Sequence, residues 1–251
     1  MHKTRVIPVV LLTGYNVVKS IQFKTYRTIG NPVAVARVYD ARNVDELILL
    51  DIRASPEERM PACDIVSDIT SECFMPLTVG GGVKSVAHAE ALLRSGADKI
   101  AINSGGLADP SLIKALSREF GAQCVVVSID AVSTSDGYLV ATDGARQTTT
   151  LDARDWARKC EALGAGEILL TSVEKDGTMS GYDLDLVKAI SASVRIPVIA
   201  SGGAGLPSHC VGAISSGAAA VAAASMFHFT KITPQEVKEE LQREGFPTRL
   251  A

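Results

Sequence analysis

The second half of the chain repeats the first half. Segments rich in Val, Ile and Leu recur at an offset of 121 residues, which shortens to 119 near the start of the chain. A chain with such a repeat is expected to fold into two halves of similar build, and this restricts its fold more than any other feature. The paired segments are 5–12 with 124–131, 46–52 with 167–173, 76–82 with 197–203, 95–97 with 216–218, and 100–104 with 221–225.

Eight short apolar runs alternate with helical patterns. The runs are apolar at nearly every position, which is typical of parallel strands covered on both faces. Eight strand-then-helix units in two repeated halves predict an α/β fold, a (β/α)8 TIM barrel with a twofold half-barrel repeat, in preference to an open doubly wound sheet. Strands are predicted at 5–12, 46–51, 76–79, 99–103, 124–130, 167–172, 197–201 and 219–223, and helices at 84–95, 110–119, 151–163 and 183–193.

The barrel is predicted to occupy residues 1–251 as a single domain, because this length is usual for the fold. No apolar run approaches the roughly 20 residues that span a bilayer, and the start of the chain lacks a signal-peptide pattern, so we expect a cytoplasmic protein. The five cysteines have no C-x-x-C spacing, and we predict neither a metal site nor a cofactor. A net charge of −3 gives no general attraction for nucleic acid or membranes.

The connection between the first strand and its helix is unusually long. Residues 13–31 contain no clear periodicity and are predicted to form an irregular loop. Loops at this position of a barrel often close over the site, so the segment is a candidate lid.

Glycine and serine residues follow the strands of both halves at corresponding positions. Gly80–Gly82 and Asn103–Ser104 follow the third and fourth strands, while Ser201–Gly203 and Ala224–Ser225 follow the seventh and eighth. Backbone amides without a nearby Cβ, together with serine hydroxyls, are suited to binding phosphate. The pattern predicts two phosphate sites on opposite sides of one barrel mouth; the alternative is that these glycines only form tight turns.

Four charged residues stand at the beginnings of strands: Arg5, Glu46, Lys99 and Glu167. They are therefore expected to meet at the amino-terminal face of the barrel, away from the predicted phosphate sites. On the fold alone, such a group would be a salt-bridge cluster that closes the barrel floor.

The two halves differ where chemistry is expected. Asp130 ends the fifth predicted strand, whereas the corresponding residue of the first strand is Leu11. Leucine has no titratable proton and accepts no hydrogen bond, so only one half carries a carboxylate at this position.

Three long segments resemble the cyclase subunit of imidazole glycerol phosphate synthase, the HisF family. They are PLTVGGGVKSVAHAEALLRSGADKIAINS, GEILLTSVEKDGTMSGYDL and IPVIASGGAG, and the similarity extends over about residues 5–229. The resemblance implies a barrel that binds a ribonucleotide with a phosphate at each end, receives ammonia from a partner glutaminase, and closes an imidazole ring.

The resemblance also assigns roles to individual residues. Arg5, Glu46, Lys99 and Glu167 would form the gate for ammonia, and Asp98 would help to dock the glutaminase in a heterodimer. Lys19 would lie on the first loop. Phosphate contacts are implied for Gly82, Asn103 and Ser104 on one side and for Asp176, Gly177, Gly203, Ala224 and Ser225 on the other, while Thr171, Ser201 and Asp130 would line the reaction pocket.

Ring closure in the family depends on two aspartates, and here Leu11 replaces the first of them. Proton transfer by a positioned side chain typically contributes about 10²- to 10⁴-fold in rate, so cyclisation is expected to be impaired. Asp51 is the nearest candidate to compensate, although it could instead be a structural carboxylate that accepts hydrogen bonds from loop amides. Asp130 could likewise be structural.

A subgroup of the family shows the same replacement together with a segment like CFMP at 73–76. Its members accompany surface-polysaccharide genes and are thought to supply ammonia for an acetamidino sugar. The leading hypothesis is therefore an ammonia-accepting subunit of this kind. The alternatives are an authentic cyclase of histidine biosynthesis that uses Asp130, or a non-catalytic activator of the glutaminase. The related sugar-phosphate isomerase of histidine synthesis is disfavoured, because it needs no ammonia gate and would need a carboxylate at Leu11.

Overall fold

The computed structural model describes residues 3–60 and 62–249. Within these residues the strands are β1 (Arg5–Thr13), β2 (Asn16–Ile21), β3 (Thr25–Gly30), β4 (Leu47–Asp51), β5 (Leu77–Gly80), β6 (Lys99–Ile102), β7 (Val125–Thr134), β8 (Gly137–Thr142), β9 (Gln147–Asp152), β10 (Glu167–Ser172), β11 (Val198–Ser201) and β12 (Ala220–Ala223). The α-helices are α1 (Pro32–Ala41), α2 (Cys63–Thr70), α3 (Val86–Arg94), α4 (Ser104–Ala108), α5 (Ser111–Phe120), α6 (Ala153–Leu163), α7 (Leu184–Ser191), α8 (Pro207–Ser215), α9 (Ser225–Phe229) and α10 (Pro234–Arg243).

Eight parallel strands close into a barrel in the order β1, β4, β5, β6, β7, β10, β11 and β12. Parallel pairing of β12 with β1, where Arg5 lies opposite Ala220, completes the ring of strands. On the other side β7 pairs with β10, which places Asp130 beside Thr171. The structure confirms the predicted (β/α)8 barrel and excludes the open sheet.

The strands are apolar on both faces because the barrel has two buried layers. Alternate residues such as Ile7, Ile48 and Val126 point into the barrel and form an inner core. Their neighbours, such as Val6 and Leu49, point outward and pack against the helices. This double burial is the physical reason for the continuous apolar runs in the sequence.

The prediction of an irregular loop at 13–31 was wrong. β1 continues beyond the barrel and forms an antiparallel sheet with β2, which in turn pairs with β3. The turn between β2 and β3 has two residues of positive φ, Gln22 and Phe23, as expected for a tight hairpin turn of the primed type. We call residues 16–30 the first hairpin.

A second hairpin, residues 137–152, follows β7 and consists of β8 and β9. The predicted helix at 151–163 therefore begins two residues later, at Ala153. Asp152 ends the hairpin and caps this helix, since its carboxylate accepts hydrogen bonds from the amides of Arg154 and Asp155. Each half of the chain thus carries one antiparallel hairpin above the barrel rim.

The helices surround the barrel and are short. The last, α10, begins with a capping box between Thr233 and Glu236 and packs against α8 and β1. Its buried Lys238 binds the carboxylate of Asp45 at 2.9 Å, which joins the end of the chain to the amino-terminal side of the barrel. Among the described residues, none of the helices has the length and apolar character that a bilayer crossing requires.

Candidate active site

One cavity of about 400 Å³ opens at the carboxyl ends of the barrel strands. Within the described part of the chain, no three His, Cys, Asp or Glu side chains come together as a set of metal ligands. The cavity is lined by all the residues predicted for substrate binding or catalysis: Leu11, Lys19, Asp51, Gly82, Asn103, Ser104, Asp130, Thr171, Asp176, Gly177, Ser201, Gly203, Ala224 and Ser225.

The first predicted phosphate site lies where α4 begins after β6. The Ser104 hydroxyl oxygen accepts hydrogen bonds from the Thr142 hydroxyl at 2.8 Å and from the Asp143 amide at 3.3 Å. Because its lone pairs are engaged by these donors, its own proton is available to a ligand in the cavity. Asn103 donates from Nδ2 to Asp130 at 2.8 Å.

The second predicted phosphate site lies at the corresponding place in the second half of the chain, where α9 begins after β12. The Ser225 hydroxyl is buried and has no partner among the described residues. A buried hydroxyl without a partner is unfavourable, and an anion in the cavity could accept its hydrogen bond. Gly203, on the loop after β11, lines the same cavity.

The glycines at these two sites are also required by the backbone. Gly82 and Gly203 have φ angles of 71° and 108°. A Cβ at Gly203 would stand 2.1 Å from the carbonyl oxygen of Gly181, so no other residue fits there. The tight-turn interpretation therefore accounts for the glycines by itself, and phosphate binding stays a prediction that depends on the amides and hydroxyls.

Asp130 is buried at the end of the barrel part of β7. Burial raises its pKa from 3.8 to about 7, and the negative charge of Asp176 adds to this effect, while the hydrogen bond from Asn103 opposes it. A carboxyl group that titrates near neutral pH is suited to donate and accept a proton. The position of Asp130 in the cavity lining and its raised pKa favour a chemical role over a purely structural one.

The cavity wall around Leu11 is mainly apolar. Leu11 lies beside Val9 and Leu50, which makes this side of the cavity apolar. Asp51 is occupied: it accepts hydrogen bonds from the amides of Arg53 and Ala54 and forms a two-point ion pair with Arg59 at 2.6 and 2.8 Å.

These bonds favour the structural interpretation of Asp51 over the compensating one. Arg59, the partner of Asp51, was not predicted from the sequence. That residue lies in a short segment of mixed charge without periodicity, and no pattern there indicates which carboxylate it binds.

The first hairpin is attached to the opposite side of the mouth. The buried Lys19 ammonium binds the carboxylate of Asp176 at 2.9 and 3.2 Å, and the Ser20 hydroxyl donates to the same carboxylate at 2.9 Å. These bonds hold the hairpin against the cavity, which Phe23, Lys24 and Tyr26 also line. The predicted irregular conformation was wrong, and the lid role stays a prediction.

The four predicted gate residues form a closed ring at the other end of the barrel. Arg5 binds Glu46 and Glu167, each at 2.7 Å, and Lys99 binds the same two glutamates, each at 3.0 Å. Burial acts to lower the pKa of Arg5, but the two carboxylates raise it above its ordinary value. The ring carries two positive and two negative charges, and it covers the end of the inner apolar core.

Asp98 lies on the same face. Its side chain accepts a hydrogen bond from the amide of Leu77 at 2.8 Å, and the residue is exposed beside Lys99 of the ring. A partner protein that covered the ring would therefore meet this carboxylate.

A closed (β/α)8 barrel with a cavity at the carboxyl ends of its strands is typical of enzymes that act on small molecules. The family model for histidine biosynthesis proteins matches residues 5–233. The chain belongs to this family and, within it, to the HisF-type subunits of imidazole glycerol phosphate synthase.

Three relatives are similar to this chain in sequence over almost their whole length. The imidazole glycerol phosphate synthase subunit HisF of Thermobifida fusca (strain YX) is 46% identical over 251 residues, which covers 98% of each chain. The subunits of the same name from Hyphomonas neptunium and Corynebacterium urealyticum are each 49% identical, over 250 and 243 residues, and cover 99% and 96% of both chains.

Proposed function

We propose that this chain is the ammonia-accepting subunit of a glutamine-dependent synthase and forms a heterodimer with a HisH-type glutaminase. The observation that carries the proposal is the closed ring of Arg5, Glu46, Lys99 and Glu167 at one end of a barrel whose other end opens into the cavity. Ammonia would enter when these salt bridges separate and would leave beside Asp130.

The interior of the barrel is suited to carrying neutral ammonia. Side chains such as Ile7, Val126 and Ile199 line it and are fully buried. A charged ammonium ion is strongly disfavoured in such surroundings, whereas the uncharged molecule is small and weakly polar. The buried hydroxyls of Thr78 and Ser128 supply polar groups along the way.

The ligand of the cavity is proposed to carry a phosphate at each end. Ser104 and Ser225 stand at two different loops of the same mouth, and each has a hydroxyl proton without a protein acceptor among the described residues. Two anion sites in one cavity fit one molecule with two phosphates better than two separate ions.

A subunit that closes an imidazole ring with two carboxylates has an aspartate at the position where this chain has Leu11. We propose that ring closure is slow here and that the ammonia serves another acceptor, in surface-polysaccharide synthesis of an acetamidino sugar. The replacement at Leu11, together with the segment at 73–76, supports this assignment.

A second candidate function is cyclisation in histidine biosynthesis. The names of the three similar subunits favour it. The pKa of about 7 for Asp130 also favours it, because one carboxyl group that exchanges protons at neutral pH could serve both halves of the reaction.

The heterodimer is tested by purifying the chain together with a HisH-type glutaminase of the same organism and measuring glutamine hydrolysis. We expect association and stimulated hydrolysis. Asp98→Asn keeps the hydrogen bond to Leu77 but removes the charge, and it should weaken both effects, whereas Asp155→Asn on the outer surface of α6 should not. A pair that neither associates nor stimulates hydrolysis would remove the proposal.

A further inference from the structure

Each of the two hairpins brings one cation to the cavity. Lys24 lies at the tip of the first hairpin, and Arg146 lies at the tip of the second. Both residues line the cavity, although neither is among the residues that the family resemblance assigns to the substrate.

The first hairpin lies against a loop of the second half of the chain. The Gln22 amide donates to the carbonyl oxygen of Asp176 at 2.9 Å, and the Gln22 side chain donates to that of Glu174 at 2.9 Å. A Cβ at Gly177 would stand 2.5 Å from the carbonyl oxygen of Ser20, so glycine is needed for this contact. Lys24 is thereby placed near the second predicted phosphate side.

The second hairpin lies against the first half of the chain. Thr142 and the Asp143 amide both donate to the Ser104 hydroxyl. Arg146 donates from Nε to the Asp143 carbonyl at 2.9 Å and from Nη2 to the Asp143 carboxylate at 3.0 Å. Its Nη1 has no partner in the described part of the chain, so donors remain for a ligand next to Ser104.

Two other cations of the described residues line the cavity wall outside the hairpin tips. The lining includes Lys19, which binds Asp176, and Arg53, which binds Glu57. A ligand with two phosphates carries several negative charges, and amides and hydroxyls alone compensate them poorly. Lys24, which has no side-chain partner in the described part of the chain, and Arg146, through its remaining Nη1 donor, are the cations that the two hairpins can supply to the ligand.

We propose that Arg146 and Lys24 each bind one phosphate end of the ligand. Arg146 comes from the second half of the chain and serves the first phosphate site, next to Ser104. Lys24 comes from the first half and serves the second phosphate site. The inference rests on the proposed function, because it takes the ligand to be doubly phosphorylated. It adds two charged contacts and explains why both hairpins cross the mouth.

The test measures binding of the ribonucleotide bisphosphate that the family uses, by titration calorimetry of the purified full chain. Arg146→Gln and Lys24→Gln should each raise Kd about tenfold, and the double variant about 100-fold, because each removes one charge-assisted contact. The matched controls are Arg118→Gln and Lys114→Gln on the exposed face of α5, which should leave Kd unchanged.

A conservative variant separates ligand binding from support of the hairpin. Arg146→Lys keeps the charge but cannot reproduce the two bonds to Asp143. Recovery of most of the affinity in this variant is expected if the charge acts on the ligand, and no recovery would assign Arg146 to the hairpin alone.

Two further results would decide against the inference in different ways. If the unaltered chain binds the bisphosphate and both glutamine variants bind it equally well, the inference is wrong while the proposed function stands. If the unaltered chain does not bind the bisphosphate at all, the proposed ligand and the inference are both wrong.

Discussion

At the scale of single residues, the difference between Leu11 and Asp130 governs what the cavity can do. Both line it, on β1 and β7, but only Asp130 can exchange a proton, and its pKa of about 7 places that exchange at neutral pH. Acid catalysis from one side of a ligand and base catalysis from the other require two such groups. Asp51 is not a substitute in this structure, because Arg59 and two amides occupy its carboxylate.

Asp130→Asn is predicted to change how stability depends on pH. The folded chain holds the Asp130 proton up to about pH 7, whereas the unfolded chain releases it near the ordinary value of 3.8. Between these values the folded state binds more protons, so stability should fall as pH rises, by at most about 4 kcal/mol. Urea unfolding of both proteins between pH 4 and 8 measures this, and the variant should lack that part of the decrease.

The control for this prediction is Asp155→Asn, which replaces an exposed carboxylate on α6. Its stability curve should run parallel to that of the unaltered chain. Parallel curves for Asp130→Asn as well would mean that folding does not raise the pKa of Asp130.

At the scale of structural elements, the two hairpins determine how the mouth is covered. The first is held to the loop after β10 by Lys19 and Ser20, which share the carboxylate of Asp176. The second is held to Ser104 by Thr142. Both hairpins therefore contact residues predicted to bind the ligand, and ligand binding is expected to stabilise them.

Asp176→Asn is predicted to loosen the first hairpin. Lys19 is buried and would lose its ionised partner, which is unfavourable for a buried cation. Amide hydrogen exchange over residues 16–21 should accelerate by at least about tenfold, since a loss of about 1.4 kcal/mol in local stability corresponds to that factor.

Exchange over residues 137–142 of the second hairpin should stay unchanged in the same variant and serves as an internal reference. Asp185→Asn, in the exposed first turn of α7, is the matched control. Equal acceleration in both hairpins would indicate general destabilisation instead of release of one element.

The barrel strands could be predicted from the sequence, whereas the hairpins could not. Strands buried on both faces produce continuous apolar runs, and most predicted boundaries lie within one or two residues of the observed ones. The hairpin strands are partly exposed, and β3 has no buried residue, so no hydrophobic pattern marks them. The only local signals were Asp136-Gly137 and Asp143-Gly144, dipeptides that favour tight turns.

The position of the predicted site residues on one cavity also followed from the sequence, because all parallel strands of a barrel end at the same mouth. The partner of each residue did not follow. The pairs Asp51 with Arg59 and Lys19 with Asp176 depend on loop paths that no periodicity encodes.

At the scale of the whole molecule, the two ends of the barrel are chemically different. One end has the closed charge ring, and the other has the cavity that Asp130 lines. The inner apolar core lies between them. In the proposed function, the partner protein acts at the first end and the phosphorylated ligand binds at the second.

Arg5→Met is predicted to reduce the free energy of unfolding by about 2 kcal/mol, because it leaves two largely buried glutamates to share Lys99 as their cation. The double variant Arg5→Met with Glu167→Met should be less destabilised than the sum of the single variants, since one cation and one anion remain paired. Urea denaturation measures both effects. Arg94→Met breaks an exposed pair with Glu90 and should change stability by no more than about 0.5 kcal/mol.

If instead the double variant equals or exceeds the sum, the ring is not an electrostatic unit, and its proposed role as a gate loses its physical basis.

The claim that Leu11 impairs ring closure is tested most simply without a glutaminase. The purified chain is supplied with ammonium salt and the ribonucleotide bisphosphate, and formation of imidazole glycerol phosphate is measured. We predict little or no product from the unaltered chain and a gain of at least about tenfold in Leu11→Asp, because a second carboxylate restores proton transfer. Product formation by the unaltered chain at an ordinary enzymatic rate, about one turnover per second or faster, would contradict the account and favour the histidine-pathway cyclase.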